Sequence, residues 1–266
     1  MSIINSFLSD LPMYLLSLPV LLLAFSVHET AHGYAAYRLG DPTARSLGRL
    51  TLNPVKHIDP IGFICMMVFH VGWAKPVPIN TRYFKNPKRD MAISGAAGPL
   101  SNLALALASL LILRLVMLFV SPAFGAEAQE VFWGIFSNTM AESGPYKASM
   151  GFTAVALLVY LLYLSVFLNV SLAIFNLIPV PPFDGSRIFY AFLPTHLYFK
   201  VMKYERYIMI GMLILFVTGL LDTPISWLLS KIVNGGLFIT GLNSGADGTT
   251  LGSMVAYIQQ LLTLSV

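Results

Sequence analysis

The sequence predicts an all-α polytopic membrane protein, with five or six transmembrane helices, a small β-sheet at the membrane surface and a re-entrant hairpin. Three observations carry that prediction. Of 266 residues, 56% are hydrophobic and 11% charged, where an ordinary globular domain has roughly a quarter of its residues charged. Charge is missing from whole runs, such as Met91 to Leu113 and Ala148 to Phe183, each long enough for the about 20 apolar residues that a helix needs to cross a bilayer. Thirteen of the sixteen Lys and Arg lie in two clusters flanking such runs. A membrane surface accounts for those clusters and for the net charge of +4, so no nucleic acid partner is expected. Cys65, the one cysteine, has no partner for an internal disulfide, and any metal must be held by nitrogen and oxygen.

The elements follow in chain order. The N-terminal stretch has the length of a signal peptide, yet it carries no Lys or Arg before its apolar part and no convincing small-x-small cleavage site, and it reads as a retained helix. That helix is uncharged from Leu11 to Val27, continues to about Leu39 and is closed by Gly40-Asp41-Pro42. Nine basic residues between Arg38 and Asp90 assign the next segment to the cytoplasmic side. Within it, TARSLGRLTLNPVKHI and AKPVPINTRYF mix β-branched residues with prolines and suggest the small sheet. They bracket an apolar stretch, Pro60 to Ala74, too short for a span and read as a hairpin dipping into lipid. A span from Met91 to about Val120 leads to an outer loop holding Glu127, Glu130 and Glu142 against Lys147. A return span from about Ser149 to Ile178 delivers the chain to Arg187, Lys200, Lys203 and Arg206. Two further apolar stretches, Tyr207 to Leu221 and Ile225 to Ile239, precede a glycine-rich loop and a last apolar segment. No repeat or linker separates a second domain, so the chain reads as one membrane-embedded unit: a core of about 11–195 and C-terminal helices of about 205–266.

The most informative five residues are His28-Glu29-Thr30-Ala31-His32. On a helix, positions 28 and 32 differ by about 40°, so both imidazoles share a face. Two neutral imidazoles can ligate one zinc, and Glu29, turned toward the same cleft, can take a proton from water. A carboxylate within a transmembrane helix costs roughly 2.5–3.5 kcal/mol on insertion scales and is not filler. A catalytic zinc needs a third protein ligand, and the candidates are His57, His70, His196 and the acidic residues. Asp184 is the strongest: Pro179, Pro181 and Pro182 break the backbone just before it, and broken backbone at membrane depth requires a protein-lined or wet cavity. The competing reading makes Asp184 an ordinary cap for the helix that follows. His57 reads as a surface histidine and His196 as an interfacial one.

HETAH, NPVKHIDPIG, GWAKPVPIN, GAAGPLSN and FNLIPVPPFDG, in that order from about residue 20 to 195, resemble the site-2 protease family of intramembrane zinc metalloproteases. The resemblance implies one Zn2+ per chain held by His28, His32 and Asp184, with Glu29 as general base. It also implies substrate or oxyanion roles for Asn102 and Asn176, while an interhelical hydrogen bond stays open for Asn102. The expected partners are the lipid bilayer and single-span membrane proteins or signal peptides, cut after unwinding beside an edge strand in AKPVPINTRYF. A homo-oligomer stays open. The form is compact, without a PDZ or CBS domain. A prokaryotic plasma membrane is the expected location, with the active site toward the cytoplasm. The rival is a zinc-binding transporter or scaffold, which needs the histidines and the aspartate but not Glu29.

Overall fold

A computed structural model describes residues 2–69, 73–136 and 149–242, and among them the fold is helical. Helix α1 runs Ser2–Arg38 and stops where expected, because Gly40 takes φ +111°, a left-handed conformation that a side chain resists. Asp41 follows, buried, its carboxylate accepting from Thr43 N at 2.9 Å and Asn80 N at 2.7 Å. A short helix α2, Thr43–Ser46, leads into α3, Pro60–Phe69. Then come α4, Pro87–Phe136; α5, Met150–Leu177; α6, Asp184–Ala191; α7, Thr195–Val217; and α8, Asp222–Ile239.

Three of these are long and apolar enough to cross a membrane: Leu15–Arg38, Pro87–Ala126 and Met150–Leu177. On α4, Leu111, Leu115 and Leu118 recur at helical spacing and are all exposed. Such a stripe is unfavourable in water and suits hydrocarbon. Helices α7 and α8 form over the later apolar stretches but do not meet the same length and hydropathy requirement. The glycine-rich loop and the last apolar segment, beyond residue 242, lie outside the described residues.

Two expectations are corrected. The small sheet reduces, among the described residues, to one antiparallel bridge, Ile58 with Ala74. Pro54, Pro60, Pro76 and Pro78 supply no N–H for a ladder; Lys75 N donates to His57 O within the bridge, while the next donors are spent elsewhere, Val77 N on Glu29 and Asn80 N on Asp41. Glu127 and Glu130 lie on α4 rather than in a loop, as expected of an Ala-Glu-Ala-Gln-Glu sequence rich in strong helix formers; Glu142 and Lys147 lie outside the described residues. The apolar stretch from Pro60 is a helix through Phe69 whose base is tied at Gly62, where a Cβ would come within 2.3 Å of Trp73 O. Residues 70–72 also lie outside the described residues.

The chain packs as two compact bodies. The first is built from Leu22–Leu105 and Leu168–Ser230, the second from the described parts of Met1–Leu21, Ala106–Phe167 and Lys231–Val266. The second body has an apolar core including Leu113, Met117, Phe152, Ala156 and Val159. Phe124 meets Phe152 edge-on at 6.1 Å, and Ser109 and Ser165 pair through their hydroxyls at 2.8 Å. All of the residues considered for chemistry below belong to the first body.

Candidate metal centre

His28 and His32 are buried on α1, one turn apart. Their outer nitrogens are committed first: His28 Nδ1 lies 2.5 Å from Asn102 Oδ1, and His32 Nδ1 lies 2.7 Å from the Ser94 carbonyl. Ser94 O can only accept, so His32 Nδ1 carries a hydrogen. With Asn102 Nδ2 donating to Asn169 Oδ1 at 2.8 Å, Asn102 Oδ1 accepts from His28 Nδ1 in the same way. Neutral imidazoles protonated at Nδ1 turn bare Nε2 lone pairs inward.

The two Nε2 atoms are 2.9 Å apart, and Asp184 Oδ2 lies 3.1 Å from His28 Nε2 and 3.0 Å from His32 Nε2. Three electron-pair donors at such distances repel unless a cation sits among them. Tetrahedral zinc bonded at about 2.0–2.1 Å sets its ligands about 3.3 Å apart, so the set needs only slight opening. Opposite the imidazoles, α4 presents Gly98, where a Cβ would lie 2.4 Å from His32 Nε2 and 2.6 Å from His28 Cε1. Glycine keeps clear the space that any side chain would fill. The two nitrogens and one oxygen, all from groups that ligate zinc, fit a metal ion.

Asp184 reaches this position because α5 ends at Leu177 and the proline-rich turn returns the chain within a few residues. Gly185 makes the return possible: a Cβ there would lie 2.4 Å from Leu177 O and 2.5 Å from Ile178 O. Asp184 opens α6 but does not cap it; Phe183 occupies the cap position, with no side-chain capping bond. Its carboxylate is turned to the histidines instead, with Arg187 Nη1 3.9 Å from Oδ1. A carboxylate anion at this position is the form that ligates a metal.

Glu29 is half-buried, and its Oε2 accepts the backbone N–H of Val77 at 2.8 Å. The same segment is fixed from behind, with Arg49 donating to Lys75 O at 2.8 Å. Asn102, fully buried, spends its amide on Asn169 and, at 3.4 Å, on Ala24 O, and its oxygen on His28. Asn176 donates to Leu172 O, one turn back on its own helix, at 2.9 Å; no bond joins it to the His–Asp set. His196 is exposed on α7, and His70 lies outside the described residues. His57 is corrected: it is 2% exposed rather than a surface histidine, because its Nε2–H donates to Thr51 O at 2.7 Å and the surrounding loops close over it.

Three participants escape a reading by residue type. Val77 and Ser94 act through backbone atoms, which leave no mark in a sequence. Asn169 left a mark, an amide inside an uncharged run, but only the fold pairs it with Asn102.

Comparison with known proteins agrees with this centre. The family model for peptidase family M50 matches residues 16–218, a range that contains His28, Glu29, His32 and Asp184. YwhC of Bacillus subtilis, named as a candidate zinc metalloprotease, is 39% identical over 202 residues, covering 75% of this chain and 79% of that protein. Rip2 of Mycolicibacterium smegmatis, named in the same way, is 29% identical over 197 residues, covering 71% of this chain and 60% of Rip2. Rip2 of Mycobacterium tuberculosis is 28% identical over 182 residues, covering 66% and 55%; the chain thus spans little more than half of either Rip2. No solved structure matches the chain.

Proposed function

This chain belongs to peptidase family M50, the site-2 protease family, and is a zinc metalloendopeptidase, and we propose that it cuts peptide bonds in or next to the transmembrane segments of membrane-anchored proteins. The observation that carries the reading is the convergence of His28 Nε2, His32 Nε2 and Asp184 Oδ2 on one point, with both histidines and Glu29 on a helix apolar enough to span a bilayer.

One zinc per chain would be held by these three atoms and, when bound, supplies Lewis acidity to a substrate carbonyl and to water. The chain's own groups do the rest. The Nδ1–H bonds to Asn102 and Ser94 fix the tautomer and tilt of both imidazoles. Glu29, held through one oxygen by Val77 N–H, takes a proton from the attacking water and passes it to the departing amine. No covalent intermediate is required. A substrate helix must unwind first, because intact helical hydrogen bonds occupy the scissile carbonyl. The non-helical chain from Ala74 to Asn80 offers backbone against which an unwound strand can lie. In this reading α7, α8 and the residues after 242 complete a bundle of five or six spans, the centre faces the cytoplasm of a prokaryotic plasma membrane, and the substrates are single-span regulators or residual signal peptides.

The test compares wild type with Glu29→Gln in detergent, for zinc content and for cleavage of single-span substrates. The expected result is about one zinc in both, and cleavage lowered by at least about 100-fold in the variant. Undiminished cleavage by Glu29→Gln, or zinc-free wild-type protein that cuts as well as loaded protein, overturns the mechanism. Zinc flux in vesicles that survives the substitution would instead identify a transporter.

A further inference from the structure

A second polar feature of the first body takes no part in the metal centre. The His57 imidazole lies on the wall of a small cavity, with Leu22, Phe25, Phe63, Trp73 and Ala74 among its apolar neighbours. Because His57 Nε2–H donates to Thr51 O, the neutral ring leaves Nδ1 as a bare acceptor, and that atom is buried without a partner. Buried polar atoms with no hydrogen bond are few in folded proteins. Two other polar groups on the wall have partners of their own: Ser26 Oγ–H donates to Leu22 O at 2.7 Å, and Asp59 Oδ1 accepts from Gly62 N at 2.8 Å.

We propose that this cavity is a subsite for a serine or threonine side chain of the segment being cut, with His57 Nδ1 accepting its hydroxyl hydrogen; this rests on the proposed function above. Size and chemistry select the class. The cavity volume is about 20 Å³, room for roughly one water-sized group. An amide or a guanidinium exceeds that space, a carboxylate is disfavoured by Asp59 on the same wall, and a methyl group leaves the acceptor unpaired. A hydroxyl fits and supplies the one missing donor. Position ties the subsite to the reaction. Ser26 on the cavity wall precedes Glu29 by about one turn of α1. Ala74, also on the wall, is three residues from Val77, whose N–H holds Glu29, a separation of at most about 11 Å. The subsite thus adjoins the segment that holds Glu29, and the hydroxyl residue belongs to the part of the substrate near the scissile bond.

The experiment uses metal-loaded full-length Glu29→Gln, which binds without cutting, and single-span peptides in which each position of the membrane segment carries threonine or its near-isostere valine. At one position threonine should bind at least about tenfold tighter than valine. That preference should vanish on adding His57→Phe, which removes the acceptor. It should vanish equally with Ser26→Leu, which fills the cavity while leaving His57 in place and so keeps the test decisive if the first variant misfolds. Equal binding of threonine and valine at every position overturns the subsite and leaves a buried water as the partner of His57, as does a preference that survives both variants, or failure of every peptide to bind. Wild-type protein is assayed for cleavage in parallel. Discrimination without cleavage would sink the protease reading while the subsite stands, and cleavage without discrimination would do the reverse.

Discussion

The two bodies bury polar groups of different kinds. In the one built from Leu22–Leu105 and Leu168–Ser230, the buried polar residues include His28, His32, Asp41, Arg49, His57, Asp90, Asn102 and Asn169; in the other, among the described residues, they are Ser109, Ser121 and Ser165. Hydroxyls are cheap in an apolar interior, because each can bond to a carbonyl of its own helix or to another hydroxyl. Imidazoles, carboxylates and amides are not, and each needs a partner from elsewhere in the fold when it is buried. The first body also holds thirteen of the sixteen Lys and Arg, so the contrast shows where the chain gathers its polar chemistry.

The comparison can be broken by substitutions on either side, and the expected effects fall in order. Gly98→Ala should be the most severe, since the added methyl would lie 2.4 Å from His32 Nε2; purified variant should contain no zinc and show no cleavage, and normal metal content would mean the ligand set lies elsewhere. Asn102→Ala should follow. It removes the acceptor that orients His28, and outer-shell losses of this kind weaken metal affinity about 10–100-fold. A chelator titration reads that directly, and an unchanged affinity with lowered turnover would favour an oxyanion role for Asn102 instead.

Asp41→Ala touches the same body away from the metal. It leaves the Asn80 N–H without its acceptor and should cost about 1–3 kcal/mol of stability, seen as a lowered unfolding temperature with zinc content retained. The smallest effect belongs to the second body. Ser109→Ala breaks the Ser109–Ser165 pair, and hydrogen bonds between transmembrane helices average about 0.6 kcal/mol. Its cleavage rate should match wild type. A large loss of activity there would erase the contrast between the bodies.

Much of this architecture is legible in the order of the residues. The spacing of His28 and His32 dictates a shared helical face through the helix period alone, and the apolar runs mark the three helices that are long and apolar enough to cross a bilayer. The end of α1 at Gly40 follows from local backbone preference. The prolines before Asp184 single it out, yet its two readings, ligand and helix cap, are separable only by where its carboxylate points.

Tertiary structure decided the rest, for reasons that differ by residue. The sheet shrinks to one bridge because β-branched residues signal strands while the prolines beside them withhold the N–H groups that a ladder needs, and the remaining donors went to Glu29 and Asp41 across the fold. Gly98 is one small residue among several in its run; only the approach of α4 to α1 shows that it faces both imidazoles. His57 resembles a surface histidine because nothing local predicts the loops that bury it. The sequence by itself determined the chemistry, since residue type and helical period are local properties. The fold determined which atoms that chemistry uses, since ligand convergence, tautomer and burial arise from contacts between segments 62 to 156 residues apart.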